Sequence, residues 1–177
     1  MRTIAKGLVV LTLTFAVLAS AGQAGAVMRG RFGFGDSVML GARGELAARG
    51  IRIDAVVSRQ FSKLPRLIRA RRNAGRLPPK VIVHVGNNGY IDPADCDKAV
   101  RAAQGRRVYL VTLKVPRGWR PTNNARLRAC ANRHSNASLV DWFDYSINRS
   151  SWFAHDLYHL TRTGARRYAA FIASRTR

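Results

Sequence analysis

Apolar and polar positions along the chain fall into short strands alternating with longer helices. Residues 51–57 alternate, with Ile51, Ile53, Ala55 and Val57 on one face, as in a half-buried strand. The run 81–85, Val-Ile-Val-His-Val, is apolar nearly throughout, and 108–113 repeats that pattern. Such runs fit strands covered on both faces of a parallel sheet, and 81–85 is the expected central one. A short strand is expected at 139–141 and another at 31–34, where Gly33 and arginine make the composition poor for a strand.

Helical periodicity fills the gaps. One helix is expected over 38–49, ended by Gly50, and a second over 61–74, with Leu64, Leu67, Ile68 and Arg71 at three-to-four spacing and Gly75 closing it. Pro65 is tolerated in its first turns, and the face bearing Arg71 must reach water. Asp92-Pro93 opens a third helix as N-cap and first-turn proline, and a fourth spans roughly 122–134. The last begins after Thr161 and presents Ala165, Tyr168, Ala169 and Ile172 to the core. This alternation predicts one α/β domain with a parallel five-stranded sheet and helices on both faces.

The N-terminus stands apart from that domain. Arg2 and Lys6, an apolar stretch over 7–19 and Ala24-Gly25-Ala26 read as a secretory signal covering 1–26, leaving 27–177 as the domain. The competing reading, a retained anchor, meets an apolar run shorter than the roughly 20 residues that a spanning helix needs. Export to an oxidising compartment lets Cys96 and Cys130 close the one disulfide possible; the alternative is two separately buried thiols.

Charge adds a second constraint. The chain has 31 Lys and Arg against 9 Asp and Glu, a net charge of +22, scattered in arginine runs. A solvated basic face is the plain reading, but such a charge also attracts anionic polymers. Outside the cytoplasm these are wall polymers or lipid head groups; no zinc-finger spacing or RNA-binding aromatic motif points to a specific nucleic acid. The protein is expected to be a monomer.

In a parallel α/β sheet, ligands bind beyond the carboxyl ends of the strands. Three polar segments fall there, Gly35-Asp36-Ser37, Ser58-Arg59-Gln60 and Gly86-Asn87-Asn88-Gly89, and His155 to His159 precede the final helix. Ser37, at a strand-to-helix turn, has its hydroxyl at the rim and its N–H among the free donors of the helix start. A serine hydroxyl needs a base, for which His159 is the candidate, and Asp156 lies three residues earlier to fix the imidazole tautomer. Asn88 can donate its amide to an oxyanion. Taken singly, Gly-Asp-Ser is a common capped turn, Asn-Gly a common turn and Asp-x-x-His a common surface pair. Their conjunction in this order is the signal. Arg59 is a candidate contact for an anionic acceptor and Gln60 for a sugar hydroxyl. Trp119, Trp142 and Trp152 are candidates for a sugar site or for core, while His84 reads as a satisfied core histidine. His155 and His159 are four apart, but no third metal ligand accompanies them.

Gly35-Asp36-Ser37, Gly86-Asn87-Asn88-Gly89 and Asp156-Leu157-Tyr158-His159 resemble blocks I, III and V of the SGNH (GDSL) hydrolase superfamily. More narrowly, residues 35–41, Val57-Ser58-Arg59-Gln60 and Trp152-Phe153 resemble the extracellular SGNH domain of membrane acyltransferases of the peptidoglycan O-acetyltransferase type. The resemblance implies a three-layer α/β/α flavodoxin-like fold, a Ser37–His159–Asp156 triad, an oxyanion hole from Ser37, Ser58 and Asn88, and no metal or organic cofactor. Two positions depart from the superfamily: Ser58 stands where block II usually has glycine, leaving its backbone N–H as donor, and Gly89 replaces a frequent aspartate. An acyl-delivering membrane part is missing from this sequence, so transfer requires a separate membrane acyl-donor protein or a soluble donor. The expected function is an exported O-acyl, in particular acetyl, transferase or esterase acting on cell-wall or exopolysaccharide glycan. The alternative is a non-catalytic basic module that binds anionic envelope polymers.

Overall fold

The computed structural model describes residues 30–177, so the signal read at 1–26 lies outside the described residues. Five strands, β1 (Arg31–Gly35), β2 (Ile51–Ala55), β3 (Lys80–His84), β4 (Arg107–Val111) and β5 (Ala137–Val140), form one parallel sheet in the order β2-β1-β3-β4-β5. Among the described residues, seven α-helices connect or follow them: α1 (Ser37–Gly41), α2 (Arg43–Ala47), α3 (Leu64–Asn73), α4 (Pro93–Ala102), α5 (Arg120–Arg133), α6 (Trp142–Ser146) and α7 (Arg162–Arg175). One core lies between the sheet and α3, α4 and α5; the other lies between the sheet and α1, α2, α6 and α7. The layers are therefore α/β/α.

β3 is central, as its composition predicts. Val81 and Val83 pack into one core and Ile82 into the other, all buried. β1 forms despite its glycines because they clear space. A Cβ on Gly33 would stand 2.9 Å from Met39 Sδ and 3.0 Å from Ile53 Cγ2, so the glycine face admits Met39 while Phe32 and Phe34 fill the opposite core. Burying Met39 completely contributes about 2 kcal/mol.

The structure departs from the sequence pattern at four places. The helix expected over 38–49 breaks at Ala42, where φ −102° and ψ 11° separate α1 from α2. β2 ends at Ala55, level with the end of β1, and the chain turns outward, leaving Val57 67% exposed rather than on the buried face. Arg71 is not simply solvated: its guanidinium stacks 3.5 Å from the Phe32 ring centroid. α6 follows β5 unannounced, N-capped by Asp141 and burying Trp142.

A disulfide joins Cys96 in α4 to Cys130 in α5, both fully buried. It ties together two helices of one layer. Among the described residues, no helix is long and apolar enough to cross a membrane.

Candidate active site

The carboxyl ends of β1 and β3 carry the first two loops of the site. After Gly35 the chain turns into α1 through Asp36, a fully buried N-cap whose carboxylate accepts from Val38 N–H at 3.1 Å. The same carboxylate accepts from Asn87 N–H at 3.2 Å and from Asn87 Nδ2 at 2.9 Å. Asp36 thus fixes both the turn presenting Ser37 and the loop presenting Asn88. That loop is pinned again by Asn123 of α5, which donates to Gly86 O at 3.1 Å and Gly89 O at 2.8 Å and accepts from Ile91 N–H at 2.9 Å.

Ser37 meets the last loop. His159 Nε2 lies 2.9 Å from Ser37 Oγ, and His159 Nδ1 lies 2.6 Å from Asp156 Oδ2. Asp156 Oδ1 also accepts from the N–H groups of Tyr158 at 3.2 Å and His159 at 3.0 Å. Burial pushes the Asp156 carboxyl upward, but the hydrogen bonds from the His159 ring and from the two backbone N–H groups outweigh it and hold the group below the usual carboxylate range. The aspartate is therefore ionised where an imidazolium would need it.

The turn holding Asp156 and His159 is the tip of a narrow hairpin. Phe153 pairs with Leu160, Ala154 N–H donates to His159 O at 2.8 Å, and Leu157 at the tip adopts a left-handed φ of +67°. Lys114, beyond β4, donates to Leu157 O at 2.6 Å and stands 4.1 Å from the Phe153 ring centroid. A non-glycine residue in this conformation costs about 1–2 kcal/mol, and Lys114 braces it from a second element.

Ser58 and Asn88 converge on the same rim. Gln60 Nε2 bridges them, donating to Ser58 O at 3.2 Å and Asn88 O at 3.3 Å. Ser58 also holds a left-handed φ of +58°. Asn88 Nδ2 is buried and makes no hydrogen bond within the protein, an unmet donor that costs about 1–3 kcal/mol unless a ligand oxygen takes it.

Two expectations need correction. Arg59 is not presented to an acceptor: it is 8% exposed, and its guanidinium is taken up by Asp54, at 2.6 Å to Oδ1 and 2.8 Å to the carbonyl. Pairing with a carboxylate on the edge strand outweighs solvation at the rim. His84 is buried but only half satisfied, with Nδ1 2.8 Å from Tyr168 Oη and Nε2 without a partner. Of the tryptophans, Trp142 is core, Trp152 stacks on it with ring centroids 6.0 Å apart, and Trp119 packs against Tyr90 beside the Asn88 loop. Asp97, Cys130 and His134 approach within 4.8 Å of one another, but the Cys130 sulfur belongs to the disulfide, and Asp97 is paired with Arg133 and His134.

Asp36, Asn87, Asn123 and Lys114 were not singled out by sequence as parts of this site. Asp36 sits inside the Gly-Asp-Ser motif and was legible only as a cap; Asn123 lies in a helix with no distinguishing pattern.

No family model matches the chain. It is 33% identical over 142 residues to the peptidoglycan O-acetyltransferase OatA of Listeria monocytogenes, covering 79% of this chain and 23% of that protein. Among solved structures, the C-terminal catalytic domain of Streptococcus pneumoniae OatA, with a methylsulfonyl adduct, superposes with a TM-score of 0.69 at 24% identity, over 84% of this chain and 92% of that one. A GDSL-like lipase from Bacteroides thetaiotaomicron gives a TM-score of 0.66 at 15% identity, over 83% and 87%. The domain has the SGNH hydrolase fold. Its sequence relatives are peptidoglycan O-acetyltransferases, and this SGNH domain spans less than a quarter of the length of the relative above.

Proposed function

We propose that this SGNH domain is an exported serine O-acetyltransferase or esterase that acts on cell-envelope glycan. The observation that carries the reading is the unbroken hydrogen-bonded series Asp156–His159–Ser37, at 2.6 and 2.9 Å. The likeness to OatA proteins supports acetyl as the acyl group and peptidoglycan as the glycan.

In the first half-reaction, Ser37 Oγ attacks the acyl carbonyl and passes its proton to His159 Nε2. Asp156 stabilises the imidazolium, and the oxyanion meets the N–H groups of Ser37 and Ser58 and the free Nδ2 of Asn88. Collapse breaks the bond to the leaving group, which takes the proton from His159, and leaves an ester on Ser37. In the second, His159 removes a proton from a sugar hydroxyl, whose oxygen attacks the ester carbonyl; collapse breaks the bond to Ser37 Oγ, which takes the proton back from His159, and the sugar keeps the acyl group. If water takes that place, a carboxylic acid is released.

The acyl group is proposed to arrive from a membrane acyl-donor protein. The basic surface would hold the domain near anionic envelope polymers. The test is ester turnover with p-nitrophenyl acetate, with and without chito-oligosaccharide, together with intact mass after a sulfonyl fluoride. Turnover and one sulfonyl adduct, both lost in Ser37→Ala, are expected; turnover that persists in Ser37→Ala would overturn the assignment.

A further inference from the structure

Tyr90 is a large aromatic residue left 65% exposed, one position beyond Gly89 and two beyond Asn88. Its backbone is not free to move. Asn123 grips Gly86 O and Gly89 O before it and Ile91 N–H after it, and Ile91 is completely buried. The ring is braced as well: Trp119 packs at 6.1 Å between centroids, and the Arg126 guanidinium stands 5.8 Å from the Tyr90 centroid. Arg126 is itself fixed by donation to Ile91 O at 2.6 Å. Core packing does not require such an arrangement, since a ring held rigidly in water gains little from burial. It suits a stacking platform, because a preorganised aromatic face binds an apolar surface with little further loss of conformational freedom.

The surroundings point to a sugar ring. Gln60 bridges the Ser58 and Asn88 loops through Nε2, and its Oε1 lies by Gly89, immediately before Tyr90. A pyranose presents a C–H face to an aromatic ring and hydroxyl donors at its edge; Tyr90 offers the first contact and Gln60 Oε1 the second. We propose that Tyr90, backed by Trp119 and Arg126, is the stacking platform for the glycan acceptor and so biases the acyl-enzyme toward a sugar hydroxyl over water. This rests on the acyl-transfer reading above.

The test uses the whole domain with chitopentaose as acceptor. In Tyr90→Ala, the ratio of transfer to hydrolysis from p-nitrophenyl acetate is expected to fall about tenfold, while Tyr90→Trp restores it. A ratio within twofold of the parent in Tyr90→Ala would overturn the assignment even if Ser37 proves to be the nucleophile. Chitopentaose binding is measured separately by calorimetry on Ser37→Ala and on Ser37→Ala/Tyr90→Ala. About tenfold weaker binding in the double variant supports the platform whether or not the chain turns over an ester; equal binding in the two refutes it. Failure of the function reading shows in the parent's turnover, and failure of this one shows in the Tyr90 comparison.

Discussion

Of the buried nitrogens without partners among the described residues, Asn88 Nδ2 lies by the candidate site and His84 Nε2 in the core. Asn88 belongs to the rim, and its unmet donor suits a charge that forms only during reaction. Asn88→Ala is expected to lower kcat for p-nitrophenyl acetate by about 100-fold with little change in KM, read by steady-state kinetics. His84 belongs to the core, where burial lowers its pKa from 6.5 to about 4 against a weaker opposing influence from Asp36. The folded chain therefore holds it neutral, whereas the unfolded chain protonates it near 6.5. Stability from this residue is complete above pH 6.5 and falls as the pH drops toward 4, by about 3 kcal/mol in all. Urea unfolding at several pH values should show a flatter acid loss in His84→Gln than in the parent; equal slopes would contradict it. Ser37, Asp156 and His159 could be picked out from sequence because serine, aspartate and histidine in that order serve one chemistry. Asp36 and Asn123 could not, since their work is to bind backbone groups on loops remote in sequence, and nothing in residue type announces it.

Among the elements, β3 was the plainest in the sequence because both its faces are buried, which removes alternation from the pattern. β1 was the least plain, its glycines being explained only by Met39 arriving from the next helix. The end of β2 misled for a related reason: Val57 continues the alternation beyond the last paired residue, so periodicity alone does not show where pairing stops. The hairpin tip at Asp156 to His159 depends on an element that periodicity does not touch, the loop after β4. Lys114 is expected to position the tip, and Lys114→Met should lower kcat about tenfold while KM changes little. Burial, then Arg120, lower the Lys114 pKa, with Asp156 opposing them, so its ammonium is lost at lower pH than that of an ordinary lysine. Lys114→Arg should therefore retain most activity and move the alkaline decline to higher pH in a pH–rate profile; an unmoved profile would remove Lys114 from this role.

On the scale of the molecule, the disulfide closes a loop of 34 residues around β4 and the β4–α5 connection. Constraining a loop of that length in the unfolded state contributes about 3–4 kcal/mol, so Cys96→Ser/Cys130→Ser should unfold at correspondingly lower urea, and reductant should shift the parent but not the variant. The excess of basic residues is spread along the chain: binding to an anionic wall polymer should weaken steeply between about 50 and 200 mM salt, whereas hydrolysis of a neutral ester should not. The contact between Ser37 and His159 spans 122 positions of sequence, nearly the whole described chain. A polypeptide is made from its N-terminus, so the hydroxyl is synthesised well before the histidine that it meets. Until residue 159 has been made and has joined the fold, the Ser37 hydroxyl lacks its hydrogen bond to the imidazole.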